Sequence, residues 1–325
     1  MVEKNINTGD ETLKSSTLIF FRNLIDYAGL FPPAQLPLDR AIRNYAAFQT
    51  YEDAWMLGHF IIPVTQLKQL TPSVALFSES NPLTLSAIGR SSSDAESCLS
   101  FLQADLKQIS LFNEKYKAAA CIKGFELPLP PVVPKRDLLE VLSLETKKRN
   151  LKTFCEVTVA FNEDWNQQML ATLDEIAIQN NKHNGRLGIK LRTGGLTVEA
   201  FPAPEQVAAV IVGCSERSIP QKFTAGLHHP IRMYRNEVKT KMHGFLNVFT
   251  AGMLARTQNI DLATVAQILA DENSANFTFT EQGLAWKGTV VNVSEMEHLR
   301  LNALCSFGSC SFDEPREDLR TLQMI

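Results

Sequence analysis

The chain has no apolar run long enough to span a bilayer, so a helical membrane anchor is not expected. It has no charge of one sign to spare. Its 32 basic and 35 acidic residues give a formal net charge of −3, which offers no electrostatic footprint for nucleic acid or an anionic membrane. Residues Met1 to Leu18 are too polar for a secretory signal. Cysteine is scarce and scattered, at Cys98, Cys121, Cys155, Cys214, Cys305 and Cys310. Three of these, Cys121, Cys155 and Cys214, lie in apolar runs where a free thiol behaves as a small hydrophobe. Cys305 and Cys310 form the one close pair, and no second pair completes a zinc site. A reducing, cytoplasmic compartment is the expectation. Walker loop, Rossmann glycine fingerprint, Gly-x-Ser-x-Gly elbow, His-Glu-x-x-His and paired Cys-x-x-Cys are all missing, so no cofactor that leaves such marks is expected. A divalent metal held by carboxylates stays open. No repeat of sequence is present.

What is present reads as an ordinary globular protein: 325 residues, 45% hydrophobic and 21% charged. Residues Met1 to Thr17 are expected to be a flexible N-terminal segment. From Leu18 to Ile325, apolar strand-like runs alternate with amphipathic helical ones. Strands are predicted near Leu24–Ala28 and over Trp55–Pro63, Leu83–Gly89, Ala118–Pro128, Lys152–Val159, Arg186–Thr193 and Gln221–Leu227. The helices between them include Leu36–Phe48, Asp94–Phe112, Lys135–Arg149, Asp164–Asn180 and Val198–Val212. A long loop, His228 to Met242, precedes a helix at Phe245–Ala255. A weak eighth strand is placed at Phe277–Thr280, with a hairpin to Leu284–Trp286 as its alternative. The tail Phe307 to Ile325 is read as irregular. Eightfold alternation without a linker predicts a single-domain (β/α)8 TIM-like barrel, with an open doubly wound sheet as runner-up.

The chemistry centres on Gly188-Ile189-Lys190-Leu191-Arg192-Thr193-Gly194-Gly195. Strand alternation puts Lys190 and Arg192 on one face. Two cations side by side in an apolar strand are costly to bury unless something anionic meets them. The glycines then let the backbone turn close to a ligand. In a barrel the site lies at the C-terminal strand ends. Asp26, Glu126, Glu156, Lys190, Arg192, His228 and His229 each fall near the end of an apolar strand.

Lys190, Glu156 and His228 are the candidates for proton transfer. Lys190 is read as a Schiff-base nucleophile, as an anion-binding group, or as a structural partner of Glu126 or Glu156. The guanidinium fork of Arg192 suits a carboxylate or phosphate, and Thr193, Gly194 and Gly195 would add backbone N–H donors. Glu126, Asp26, His229 and Arg232 are further candidates for holding substrate. His243, at a helix start, would offer free N–H groups to an anion.

Four stretches resemble a family of bacterial hypothetical proteins. They are Asp26-Tyr27-Ala28-Gly29-Leu30-Phe31-Pro32-Pro33, Lys190 to Gly195, Thr224-Ala225-Gly226-Leu227-His228-His229-Pro230, and Ser306 to Pro315. That resemblance spans most of the chain and brings no activity with it. The lysine on the sixth strand also resembles that of class I aldolases of barrel fold, which would imply Schiff-base chemistry. The sequence therefore points to a barrel enzyme, lyase or isomerase, acting on a small anionic organic molecule. A metal-dependent hydrolase or isomerase using Glu126, Glu156 and His228 is the second reading, and a non-catalytic binding or scaffolding barrel the third.

Overall fold

Short runs such as Leu-Gly-His-Phe-Ile-Ile-Pro and Leu-Thr-Leu-Ser-Ala-Ile are too short and too rich in buried residues for surface helices, and they pair as parallel strands. A computed structural model of the chain describes residues 13–159, 162–183 and 186–325. Its eight barrel strands are β1 (Ile25–Tyr27), β2 (Leu57–Pro63), β3 (Leu83–Ile88), β4 (Ala120–Pro128), β5 (Lys152–Glu156), β6 (Gly188–Arg192), β7 (Gln221–Thr224) and β8 (Leu304–Ser309). They form a closed, all-parallel barrel in which β8 joins β7 to β1. The predicted (β/α)8 architecture is the one observed.

The helices are α1 (Ser15–Phe21), α2 (Leu38–Phe48), α3 (Ala95–Tyr116), α4 (Arg136–Lys147), α5 (Trp165–His183), α6 (Pro204–Glu216), α7 (Phe245–Thr257), α8 (Leu262–Ala270), α9 (Val293–Asn302) and α10 (Asp313–Thr321). Asp94 caps α3 by accepting from the Ser97 N–H at 2.8 Å. Pro204 starts α6, where its missing donor costs nothing. The helix after β6 therefore begins later than expected, because Val198–Ala200 forms a separate short turn.

Three other expectations change. The tail is not irregular: it supplies β8 and α10. Phe277–Thr280 is not a barrel strand. It pairs antiparallel with Gly283–Trp286, as the hairpin alternative had it, and Thr289–Asn292 adds a third strand outside the barrel. At the N-terminus, Ser15–Thr17 belong to α1, with Ser16 and Thr17 buried. The earlier part of the segment expected to be flexible lies outside the described residues. The loop from His228 also holds a small hairpin, Met233–Arg235 with Thr240–Met242.

The core between barrel and helices is rich in phenylalanine. Phe20, Phe21, Phe245, Phe249, Phe279 and Phe307 touch in a chain of ring contacts under α1 and α7. The inside of the barrel differs. The interior layers of such barrels are dominated by branched apolar side chains, yet Asp26, Ser86, Glu126, Glu156, Lys190 and Lys222 are all buried here.

Candidate active site

Register builds the site. Glu156 on β5 stands beside Lys190 on β6, and Lys190 beside Lys222 on β7. Two ammonium groups held side by side away from water need anionic partners. They find them in an alternating chain across the barrel. Asp26 accepts from Lys222. The Lys222 Nζ lies 2.7 Å from Glu126 Oε1, and the other oxygen of Glu126 lies 2.7 Å from Lys190 Nζ. Lys190 also meets Glu156 Oε2 at 2.9 Å, whose Oε1 takes Arg192 Nη1 at 3.2 Å. Three carboxylates alternate with three cations. Ser86 Oγ donates to Glu126 at 2.6 Å, and Ser306 Oγ and the His59 backbone N–H donate to Asp26, each also at 2.6 Å.

The network sets the protonation states. Burial alone would raise the Glu126 carboxyl, but the Lys190 and Lys222 charges outweigh it and hold it at about 2. Glu156 and Asp26 are lowered against burial in the same way, by Lys190 and Lys222 respectively. Burial would lower both lysines, yet the paired carboxylates raise them. Lys190 is thus held as an ammonium ion between two carboxylates. That geometry removes the free amine on which Schiff-base chemistry depends.

Above this floor lies a cavity of about 630 Å³ at the C-terminal ends of the strands. Glu126, Glu156, Lys190, Arg192, Gly195 and His228 all line it, as does Lys222. Its walls include Phe31, Ile61, Ile88, Val157, Trp165 and Met169. Arg192 has a side chain 47% exposed and, among the described residues, one anionic partner, Glu156. His228 Nδ1 stands 3.2 Å from Glu314 Oε2 and 3.9 Å from Cys310 Sγ. Burial would lower this imidazole, but its contacts with Cys310 and Glu314 push it up to about 9.

Six expected substrate-binding residues serve other ends. Asp26 lies inside the barrel, fully buried and surrounded by Lys222, Ser306 and His59. The Thr193 N–H and Oγ1 are spent on the Thr224 and Ala225 carbonyls, at 2.9 and 2.7 Å. Gly194 packs against Gly226, where an added Cβ would come within 2.9 Å of the Gly226 Cα. Its smallness brings two loops together. His229 turns to Asp318, with Nδ1 2.6 Å from Oδ2. Arg232 and His243 bond each other at 3.2 Å, and His243 Nε2 reaches the Pro202 carbonyl at 2.8 Å. The α7 start offers no anion site at its first two amides, because Phe245 and Leu246 donate to the His229 and Pro230 carbonyls. Burial and the Arg232 charge lower His243 to about 4.

Sequence reasoning missed Lys222, Cys310 and Glu314. Lys222 was within reach, since alternation places it on the face of Thr224 at the end of the same strand. Cys310 and Glu314 lay in the stretch read as irregular. As for a metal, among the described residues no group of three or more His, Cys, Asp or Glu is arranged to hold an ion. The Glu126 and Glu156 oxygens face ammonium and guanidinium groups, which is a poor setting for a second cation.

Fold and cavity define a (β/α)8 barrel with a charged site at its C-terminal rim. No protein-family model and no curated protein matches the chain, in keeping with its likeness to a family of bacterial hypothetical proteins. Among solved structures, one provisionally assigned as an alpha-L-fucosidase from Bacteroides thetaiotaomicron is similar with a TM-score of 0.46 and 8% identity, over 80% of this chain and 89% of that one. The carboxyl transferase domain of Rhizobium etli pyruvate carboxylase is similar at 0.41 and 12% identity, over 99% of this chain and 59% of that one. The same domain with pyruvate and biocytin gives 0.43 and 13%, over 96% and 56%. The chain therefore spans little more than half of those carboxyl transferase chains. No described helix is long and apolar enough to cross a membrane.

Proposed function

We propose that this barrel is an enzyme acting on a small anionic organic molecule, a carboxylate or a phosphate, by lyase or isomerase chemistry. The observation that carries this reading is Arg192. It ends a charge chain whose other members are buried and paired, and its half-exposed guanidinium faces a cavity of substrate size. Glu156 holds one edge of the fork, leaving donors for a carboxylate or phosphate oxygen. His228, protonated at neutral pH, adds a second cation on the same rim and a proton to give. Lys190 and Glu126 below act as a fixed dipolar floor that orients Glu156, rather than as a covalent centre.

Binding of a panel of small carboxylates and phosphates, followed by thermal shift and calorimetry, tests the reading. A binder should lose roughly tenfold or more in affinity in Arg192→Gln, in line with a charge-assisted pair of about 1.5–3 kcal/mol. Binding that ignores this substitution refutes it. Borohydride trapping with aldehydes and keto acids should yield no adduct at Lys190. The metal-dependent reading predicts a stoichiometric divalent ion in protein purified without chelator. The scaffolding reading predicts that no small anion binds at all.

A further inference from the structure

The barrel floor is built of ions already paired with one another, so it offers no obvious nucleophile. The rim does. Six free cysteines are present, and only Cys121 and Cys310 escape full burial. Cys310 lines the cavity together with Arg192 and His228. It directly follows β8, the position from which barrel strands present reactive groups. Its sulfur faces His228 Nδ1 at 3.9 Å, and Glu314, from the first turn of α10, meets the same nitrogen at 3.2 Å. Glu314 is itself steadied from the other side by His229, at 3.8 Å. Sulfur, imidazole and carboxylate are thus grouped beside a cavity that also holds a half-free guanidinium. This grouping has the parts of an activated thiol: nucleophile, proton carrier and orienting acid.

We infer that Cys310 is the nucleophile of the site, with His228 as its proton carrier and Glu314 as the positioning residue, acting on an electrophilic carbon of the anion that Arg192 holds. The inference rests on the anion-binding reading of Arg192. In the step, a sulfur lone pair forms the S–C bond at one end of a polarised double bond. The π pair moves to the other end, which takes the proton carried by His228, and the S–H proton refills the imidazole. The sulfhydryl has then added across the double bond, with no atom lost and nothing oxidised or reduced. Reversal expels the sulfur. Addition, rotation about the resulting single bond and expulsion of the same sulfur accomplish an isomerisation and return the free thiol, so the isomerase branch of the reading above is the one served.

Alkylation of the intact protein with iodoacetate and iodoacetamide tests this, with peptide mass spectrometry reading each cysteine. In either reagent the S–C bond forms as the C–I bond breaks and iodide leaves. Cys310 should react about tenfold or more faster than Cys121 in the same molecule, as expected of an assisted thiol. It should favour the anionic reagent over the neutral one, a preference that Arg192→Gln abolishes. His228→Asn should slow Cys310 and leave Cys121 unchanged, and circular dichroism checks that both variants are folded. Reaction at Cys310 no faster than at Cys121 with either reagent overturns the nucleophile and leaves anion binding to its own titration. Fast reaction with equal preference for both reagents upholds the nucleophile and overturns the anion reading of Arg192.

Discussion

Lys222 shows what one buried charge does here. It links Asp26 on β1 to Glu126 on β4, so the chain of ion pairs crosses the barrel through its ammonium group. Replacing it with methionine preserves volume but leaves Asp26 in the interior without its ammonium partner, while Glu126 keeps Lys190. Lys222→Met is expected to cost about 3–5 kcal/mol, the usual penalty for leaving a buried charge uncompensated. Urea unfolding would measure it. Asp26→Asn combined with Lys222→Met removes charge of both signs and should destabilise less than the single change. If the double variant is the worse of the two, the network is not held by charge balance. Lys190 and Arg192 were legible in the sequence because a glycine turn marks where their strand ends. Lys222 lies in an equally apolar strand, but the histidines beyond it drew the reading to the strand's end. Asp26 was legible as a charge in a strand, yet nothing in its neighbours tells which end of the barrel it faces.

At the scale of elements, the segment from β8 to α10 completes the site, supplying Cys310 and Glu314 beside His228 while Asp318 holds His229. Leu-Cys-Ser-Phe-Gly-Ser hides as a strand because it lacks the β-branched residues that mark one, and its glycine and serines imitate a loop. Packing explains the composition. Gly308 stands beside Thr224, where an added Cβ would lie 3.2 Å from Oγ1. Two imidazoles, His228 beside Glu314 of α10 and His243 beside Arg232, also make stability depend on pH in two directions. His228 is raised to about 9 by its contacts, so its contribution is full below its unfolded value near 6.5 and is lost as pH rises through 9. His243 is lowered to about 4 by burial and Arg232, so its contribution is full above 6.5 and is lost as pH falls through 4. Each shift amounts to on the order of 3 kcal/mol. The stability curve should therefore peak near pH 6.5. His228→Gln should flatten the alkaline limb and His243→Gln the acid one, as read by denaturant midpoints across pH. A limb that persists in its variant would show that another group titrates there.

The whole molecule depends on closing a ring whose last stave comes from the end of the chain. β1, from residues Ile25–Tyr27, pairs on one side with β2 and on the other with β8, nearly the full sequence away. Seven strands were legible because each is an apolar run followed by a helix. The eighth was sought at Phe277–Thr280 because alternation demanded a strand there, and the outer antiparallel sheet intervened. The consequence can be tested. A chain ending at Ala303 would expose two strand edges, on β1 and β7, and would remove Phe307 and Phe312 from the core. It would also leave Asp26 without the Ser306 hydroxyl and open the ion layer to water from the side. Helices cannot make up for this, since α7 packs Phe245 and Phe249 on Phe307, and α1 packs in turn on those two rings. Such a chain is expected to show no cooperative thermal transition by circular dichroism and to aggregate through its open edges. Were the final segment a dispensable tail, the truncated chain would melt cooperatively close to the parent. That outcome would mean that the barrel closes without β8, and that the site at its rim is assembled by some other means.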